Sequence, residues 1–183
     1  MAGLNRLRLF FLLHFSKPVS DRLVYRELRK KKARKIVEIG MGTAERAVKA
    51  INLLQEFHAA GEVHYTGIDQ FEARIIGDGP RLTLRDAHRV LKATGARVQL
   101  VPGAAGEALS RVANGLKEID AVIISADQSP EQMAQAWFYL PRMVHASTLF
   151  FQEGTSPAGV TTMHLLNRDE IARLTVQGRR RAA

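Results

Sequence analysis

"KKKARKIVEIGMGTAERAVKAI", residues 30–51, decides the fold. Five basic residues precede a short apolar run, Glu38 sits near the end of that run, Gly40 and Gly42 follow, and a helix-like stretch begins. An apolar run that stops at a glycine turn and passes into helical periodicity reads as strand, turn and helix. A dinucleotide fingerprint, G-x-G-x-x-G/A, explains only the first two glycines. Its third position is Glu45, a poor neighbour for a pyrophosphate and unable to give the close helix–strand packing that glycine permits. A phosphate-cradling loop needs G-K-[ST], and none follows.

From Lys35 onward, strands and helices alternate. Strands are expected at 35–40, 63–69, 97–103, 120–127 and 147–154, with a sixth candidate at 161–166. Helices are expected at 44–59, 81–93, 105–116 and 130–140, and a last short helix is capped by Asn167 or Asp169. A Gly77-Asp78-Gly79-Pro80 turn precedes the second of these helices. The rhythm implies right-handed βαβ units: an α/β, Rossmann-like, doubly wound and mostly parallel sheet with helices on both faces. Ligands of such sheets sit at the carboxyl ends of the strands. That rule selects Gly40–Thr43, Asp69–Gln70, Gly103–Ala105, Asp127–Gln128 and Gln152–Glu153.

"VEIGMGTAERA" resembles the first motif of the class I S-adenosylmethionine-dependent methyltransferases, an acid followed by glycines at alternate positions. Glu38, Gly40 and Gly42 match it, and Ala44 takes the third glycine position. The likeness continues over most of residues 22–154. "YTGID" resembles the second strand of that family, whose terminal acid, here Asp69, accepts hydrogen bonds from the ribose hydroxyls. "RVQLVPGAAGEAL" resembles the third-strand motif, but the acid that usually contacts the adenine amine is replaced by Ala104. "IDAVIISADQSPEQM" resembles the fourth-strand region of small-molecule O-methyltransferases. Where the metal-dependent members carry an aspartate this chain has Ser125, and Gln152-Glu153 stand where Asp-Asn would follow the fifth strand. The metal site does not carry over.

The resemblance thus implies a cationic cofactor, S-adenosylmethionine, with S-adenosylhomocysteine as product. Glu38, Gly40, Met41, Gly42, Thr43, Asp69, Gln70, Ala104 and Ala105 are the cofactor-binding candidates, and Asp127 and Glu153 the proton acceptors or substrate ligands. Plainer roles stand beside these: Glu38 as a helix-dipole partner, Asp69 as a turn or helix cap, Asp127 as the cap of the next helix. After the fifth strand only Thr155–Ala183 remain, too few for the further helix and β6–β7 hairpin of the family, so that end is expected to be shortened.

The formal charge of +9 is segregated. Residues 1–35 hold 11 Lys/Arg against Asp21 and Glu27, whereas the rest of the chain holds 16 basic and 16 acidic residues. The organisation expected is a basic, apolar helical arm (1–34) ahead of a methyltransferase-like domain (35–183). Residues 22–35 could then meet nucleic acid or an anionic membrane, although the bland reading of Arg22, Arg26 and Arg29 is a solvated helix face. Phe10, Phe11 and Phe15 are candidates for apolar substrate contacts. The run Leu9–Leu13 is too short to span a bilayer, and His14 and Lys17-Pro18 argue against a signal peptide. With no cysteine, the chain has neither a disulfide framework nor a thiolate metal site, and a soluble cytoplasmic protein is expected. None of the histidines stands at a strand's carboxyl end, and Trp137, Phe138 and Tyr139 read as core. The functional expectation is methyl transfer to a small molecule. The alternatives are an inactive methyltransferase-like scaffold, or an RNA or anionic-membrane binder acting through the arm.

Overall fold

The computed structural model describes residues 5–74 and 82–182. The Gly77–Pro80 turn lies outside the described residues. Two helices, α1 (Arg6–Phe15) and α2 (Asp21–Lys31), lead into β1 (Lys35–Ile39) and α3 (Glu45–Leu54). Then follow β2 (His64–Asp69), α4 (Leu84–Lys92), β3 (Arg97–Pro102), α5 (Ala105–Val112), β4 (Ile119–Ile124), α6 (Pro130–Tyr139), β5 (Val144–Thr155), β6 (Thr161–Leu165) and α7 (Arg168–Ala182).

The sheet order is β3-β2-β1-β4-β5-β6. All neighbours are parallel except β5 and β6, which form an antiparallel pair from Phe151↔Leu165 to Thr155↔Thr161. The order reverses at β1, so the turns after β1 and β4 flank the crevice where such sheets bind ligands.

Successive residues of the central strands point to opposite faces and feed two cores. Ile36, Ala121, Ile123 and Phe151 join Tyr25, Leu28, Ile51, Leu54, Tyr65 and Leu91 on one face. Val37, Ile39, Val122, Ile124 and Phe150 join Ile68, Leu109 and Trp137 on the other. This double burial is why β1 and β4 read as near-continuous apolar runs. Glu38, in step with Ile36, therefore points into the first core, toward α2 and α3. The apolar side of α2 belongs to that core as well: Val24, Tyr25 and Leu28 are fully buried.

Several expectations need correcting: the helix expected over 105–116 ends at Val112, and the strand expected over 120–127 ends at Ile124. The helix expected over 44–59 ends at Leu54, where Glu56 N–H donates to Leu53 and Phe57 N–H to Leu54, tightening the chain into turns. The final helix is 15 residues long, not short; Asn167 caps it, its side chain accepting from Glu170 N–H at 3.0 Å. And β5 begins at Val144, three residues early. The shortened carboxyl end is realised as one antiparallel strand and α7. That helix lies against α6, where Gly178 comes so close that an added Cβ would sit 2.6 Å from the Ala134 carbonyl oxygen.

Candidate functional site

A cavity of about 540 Å³ opens at the carboxyl ends of the strands. Its walls come from the β1 turn (Gly40, Met41, Gly42, Thr43), the start of α3 (Glu45, Arg46), Arg74, the β4 turn (Ser125, Ala126, Asp127) and the β5–β6 pair (Glu153, Thr155, Thr161). Pro18 and Asp21 close it from the amino-terminal side.

The glycine turn after β1 has a consistent backbone. Gly40, Gly42 and Ala44 take φ of +80°, +55° and +61°, so the alternate-glycine path is kept with alanine at its third step. The methyl of Ala44 is fully buried. At Gly40 a side chain would be excluded anyway, because a Cβ would lie 2.6 Å from Asp127 Oδ1 and 2.8 Å from Ser125 Cβ. The turn is anchored from β2: Met41 and Gly42 donate their N–H groups to Asp69 Oδ2 at 2.9 and 3.2 Å. Among the candidates, Gly40–Thr43, Asp127 and Glu153 line the cavity, and Asp69 lies buried behind the turn. Gln70, Ala104 and Ala105 are not among its lining residues.

Glu38 is fully buried beneath the cavity rather than in its wall. Arg46 Nε donates to its Oε1 at 2.7 Å and the Tyr65 hydroxyl to its Oε2 at 2.6 Å. The Arg46 guanidinium also reaches Asp21 Oδ1 at 3.1 Å and Glu153 Oε1 at 3.2 Å. One cation thus holds three carboxylates. Burial raises the pKa of both Asp21 and Glu38, and Arg46 offsets that only in part. Burial works to depress the Arg46 pKa, but the three carboxylates outweigh it and keep the guanidinium protonated. Glu153 also accepts from Ser125 Oγ at 3.2 Å and Ala126 N–H at 3.3 Å.

A second cation spans the crevice. Arg74 donates from Nε to Asp69 Oδ1 and from Nη2 to Asp69 Oδ2, both at 2.9 Å, and its Nη1 lies 2.5 Å from Asp127 Oδ2. The arginine therefore ties the ends of β2 and β4 across the β1 turn. Burial disfavours its charge, yet Asp69 and Asp127 outweigh that and raise its pKa. Counting the buried Glu38 and Asp69, six carboxylates (Asp21, Glu38, Glu45, Asp69, Asp127, Glu153) surround the cavity against Arg46 and Arg74. The site is net negative and suits a cationic ligand.

Sequence reasoning misses Arg46, Arg74 and Asp21. Arg46 is within its reach, since a carboxylate buried in a central strand needs a cation and the first turn of the next helix is the nearest source. Arg74 has no such signal, standing in a stretch without periodicity. Phe10, Phe11 and Phe15 do not line the cavity; all three are more than half exposed. Among the described residues no group of three or more His, Cys, Asp or Glu could hold a metal, and no helix is long and apolar enough to cross a membrane.

No protein-family model matches the chain, and no curated protein matches it. Solved structures do. The O-methyltransferase of tomaymycin synthesis from Streptomyces achromogenes, determined with S-adenosylmethionine, superposes with a TM-score of 0.55 at 15% identity, over 77% of this chain and 57% of that one. A TDP-rhamnose 3'-O-methyltransferase of calicheamicin biosynthesis gives 0.60 at 18%, over 85% and 67%. A putative O-methyltransferase from Klebsiella pneumoniae gives 0.57 at 16%, over 94% and 76%. The chain spans less than two thirds of the first two structures matched, 57% and 58% of their lengths. The architecture is the Rossmann-like fold of the O-methyltransferase structures on which the chain superposes.

Proposed function

We propose that this chain binds S-adenosylmethionine in the crevice over the β1 turn and transfers its methyl group to a small-molecule acceptor. One observation carries the reading: the Asp69 carboxylate, at the end of β2, is hydrogen-bonded to the glycine turn at the end of β1, at the head of a net-negative cavity. Related folds solved with S-adenosylmethionine or S-adenosylhomocysteine give it further support. The bound cofactor supplies a methyl group on a sulfonium, which leaves S-adenosylhomocysteine when the acceptor's lone pair takes the methyl.

The chain's residues fit that cofactor unequally. The acid-rich wall matches a sulfonium and an ammonium, and Gly40 to Gly42 let a ligand approach the backbone. Asp69 is the carboxylate for the ribose hydroxyls, but Arg74 occupies it from the cavity side. Binding therefore exchanges the Arg74 guanidinium for the ribose. The same movement would loosen the Arg74–Asp127 ion pair and so turn Asp127 toward a hydrogen bond or a proton from the acceptor. Glu153, held by Arg46, Ser125 and Ala126, shapes the wall instead. The alignment of acceptor and methyl supplies most of the rate.

Thermal unfolding tests the reading. At about a hundred times its dissociation constant, S-adenosylhomocysteine adds about 2.7 kcal/mol to stability, a rise of several degrees in midpoint for a domain of this size. An unchanged midpoint with both cofactor and product, in the wild type and in Arg74→Ala alike, would overturn it and leave a scaffold that has kept the fold alone.

A further inference from the structure

The amino-terminal helix presents an apolar face that nothing in the described chain covers. On one side of α1, Leu9, Leu12 and Leu13 pack against the first core. On the other, Leu7, Phe10, Phe11 and Phe15 are 61%, 51%, 53% and 56% exposed, and Val19 in the following turn is 63% exposed. The three phenylalanines form one cluster, with Phe15 centred 5.7 Å from Phe10 and 5.4 Å from Phe11. Exposed large residues scattered singly are ordinary; a contiguous aromatic patch marks a contact surface. Arg6, Arg8 and Lys17 are exposed around it, and Arg26, Arg29, Lys30 and Lys32 are exposed on and just after α2.

We infer that this face docks the protein on an anionic lipid surface, with the α1 phenylalanines entering the headgroup–acyl boundary and the surrounding cations meeting lipid phosphates and carboxylates. Two other occupants fit less well. In a two-fold contact between copies the same patch meets itself, bringing together two segments that each hold 11 basic residues and 2 acids. A nucleic-acid strand needs open ring faces, whereas these rings lean on one another at 47–84°. The patch is linked to the cavity through the segment after α1, since Pro18 and Asp21 line that cavity. Docking by this face sets the cleft close to the membrane plane.

The test is flotation of the full chain with phosphatidylcholine vesicles, with and without phosphatidylserine, at about 0.05 M and about 0.5 M salt. Binding is expected to the phosphatidylserine vesicles and to fall at least tenfold at the higher salt. It is expected to fall at least tenfold in Phe10→Ser/Phe11→Ser/Phe15→Ser, whose unfolding midpoint stays near wild type because the rings are already exposed. Arg6→Ser/Arg8→Ser/Lys17→Ser should weaken binding with the apolar patch intact. Three outcomes would overturn the inference: undiminished binding by the phenylalanine variant, a lipid-free dimer that this variant dissolves, or capture of poly-uridylate in place of vesicles.

Discussion

Arg46 holds together three carboxylates that would repel one another without it. It sits in the first turn of α3 and reaches back to Glu38 in β1, sideways to Asp21 at the start of α2 and across to Glu153 in β5. The pair with Glu38 is nearly dry, the side chains being 11% and 0% exposed. Replacing a buried charge partner leaves the other charge uncompensated, so Arg46→Met should cost about 3–5 kcal/mol in urea unfolding at neutral pH. The deficit should shrink on acidification. Burial already raises the Glu38 and Asp21 carboxyls above their unfolded values, and losing the guanidinium raises them further. The folded variant then binds more protons than its unfolded chain, so its stability falls as pH rises through the carboxylate range and recovers below it. An equal deficit at pH ~4 and ~8 would show that the arginine acts by packing alone.

Between elements, the least visible device is the contact of α7 on α6. Glycine in a helix interior is normally unfavourable relative to alanine. At Gly178 the order is reversed, because a Cβ would meet the Ala134 carbonyl oxygen at 2.6 Å and Trp137 Cβ at 2.7 Å. Gly178→Ala should therefore lower stability by about 1–3 kcal/mol, measured by urea unfolding; a gain would mean that α7 does not press on α6 as described. This contact is not legible in the sequence, where the last helix reads as short. The strands are. Val37, Ile39, Val122 and Ile124 alternate with Ile36, Ala121 and Ile123 between two cores, and such double burial leaves an unmistakable apolar run. The end of α3 is hidden because the helical pattern of apolar residues continues past Leu54 while the backbone tightens into turns.

At the scale of the whole molecule, charge is segregated: carboxylates gather around the cleft, and exposed cations stand on the amino-terminal helices, the first of which carries an exposed aromatic face. The cleft is half legible in the amino-acid sequence: the strand-end rule alone brings Gly40, Asp69, Asp127 and Glu153 to one crevice. Hidden from that rule are the two arginines that offset part of the negative charge from within, since neither lies in a strand-end turn and three of their partners, Asp21, Asp127 and Glu153, are distant in sequence. Arg74 is the decisive one, holding Asp69 and Asp127 at once. The most direct measurement is therefore calorimetric titration of S-adenosylmethionine into the wild type, Asp69→Asn and Arg74→Ala. The structure predicts that the cofactor binds the wild type, about tenfold or more weakly in Asp69→Asn and more tightly in Arg74→Ala, because the competitor for the ribose site is gone. Equal affinity in Asp69→Asn, or no heat with any of the three, would contradict a cofactor site built on Asp69.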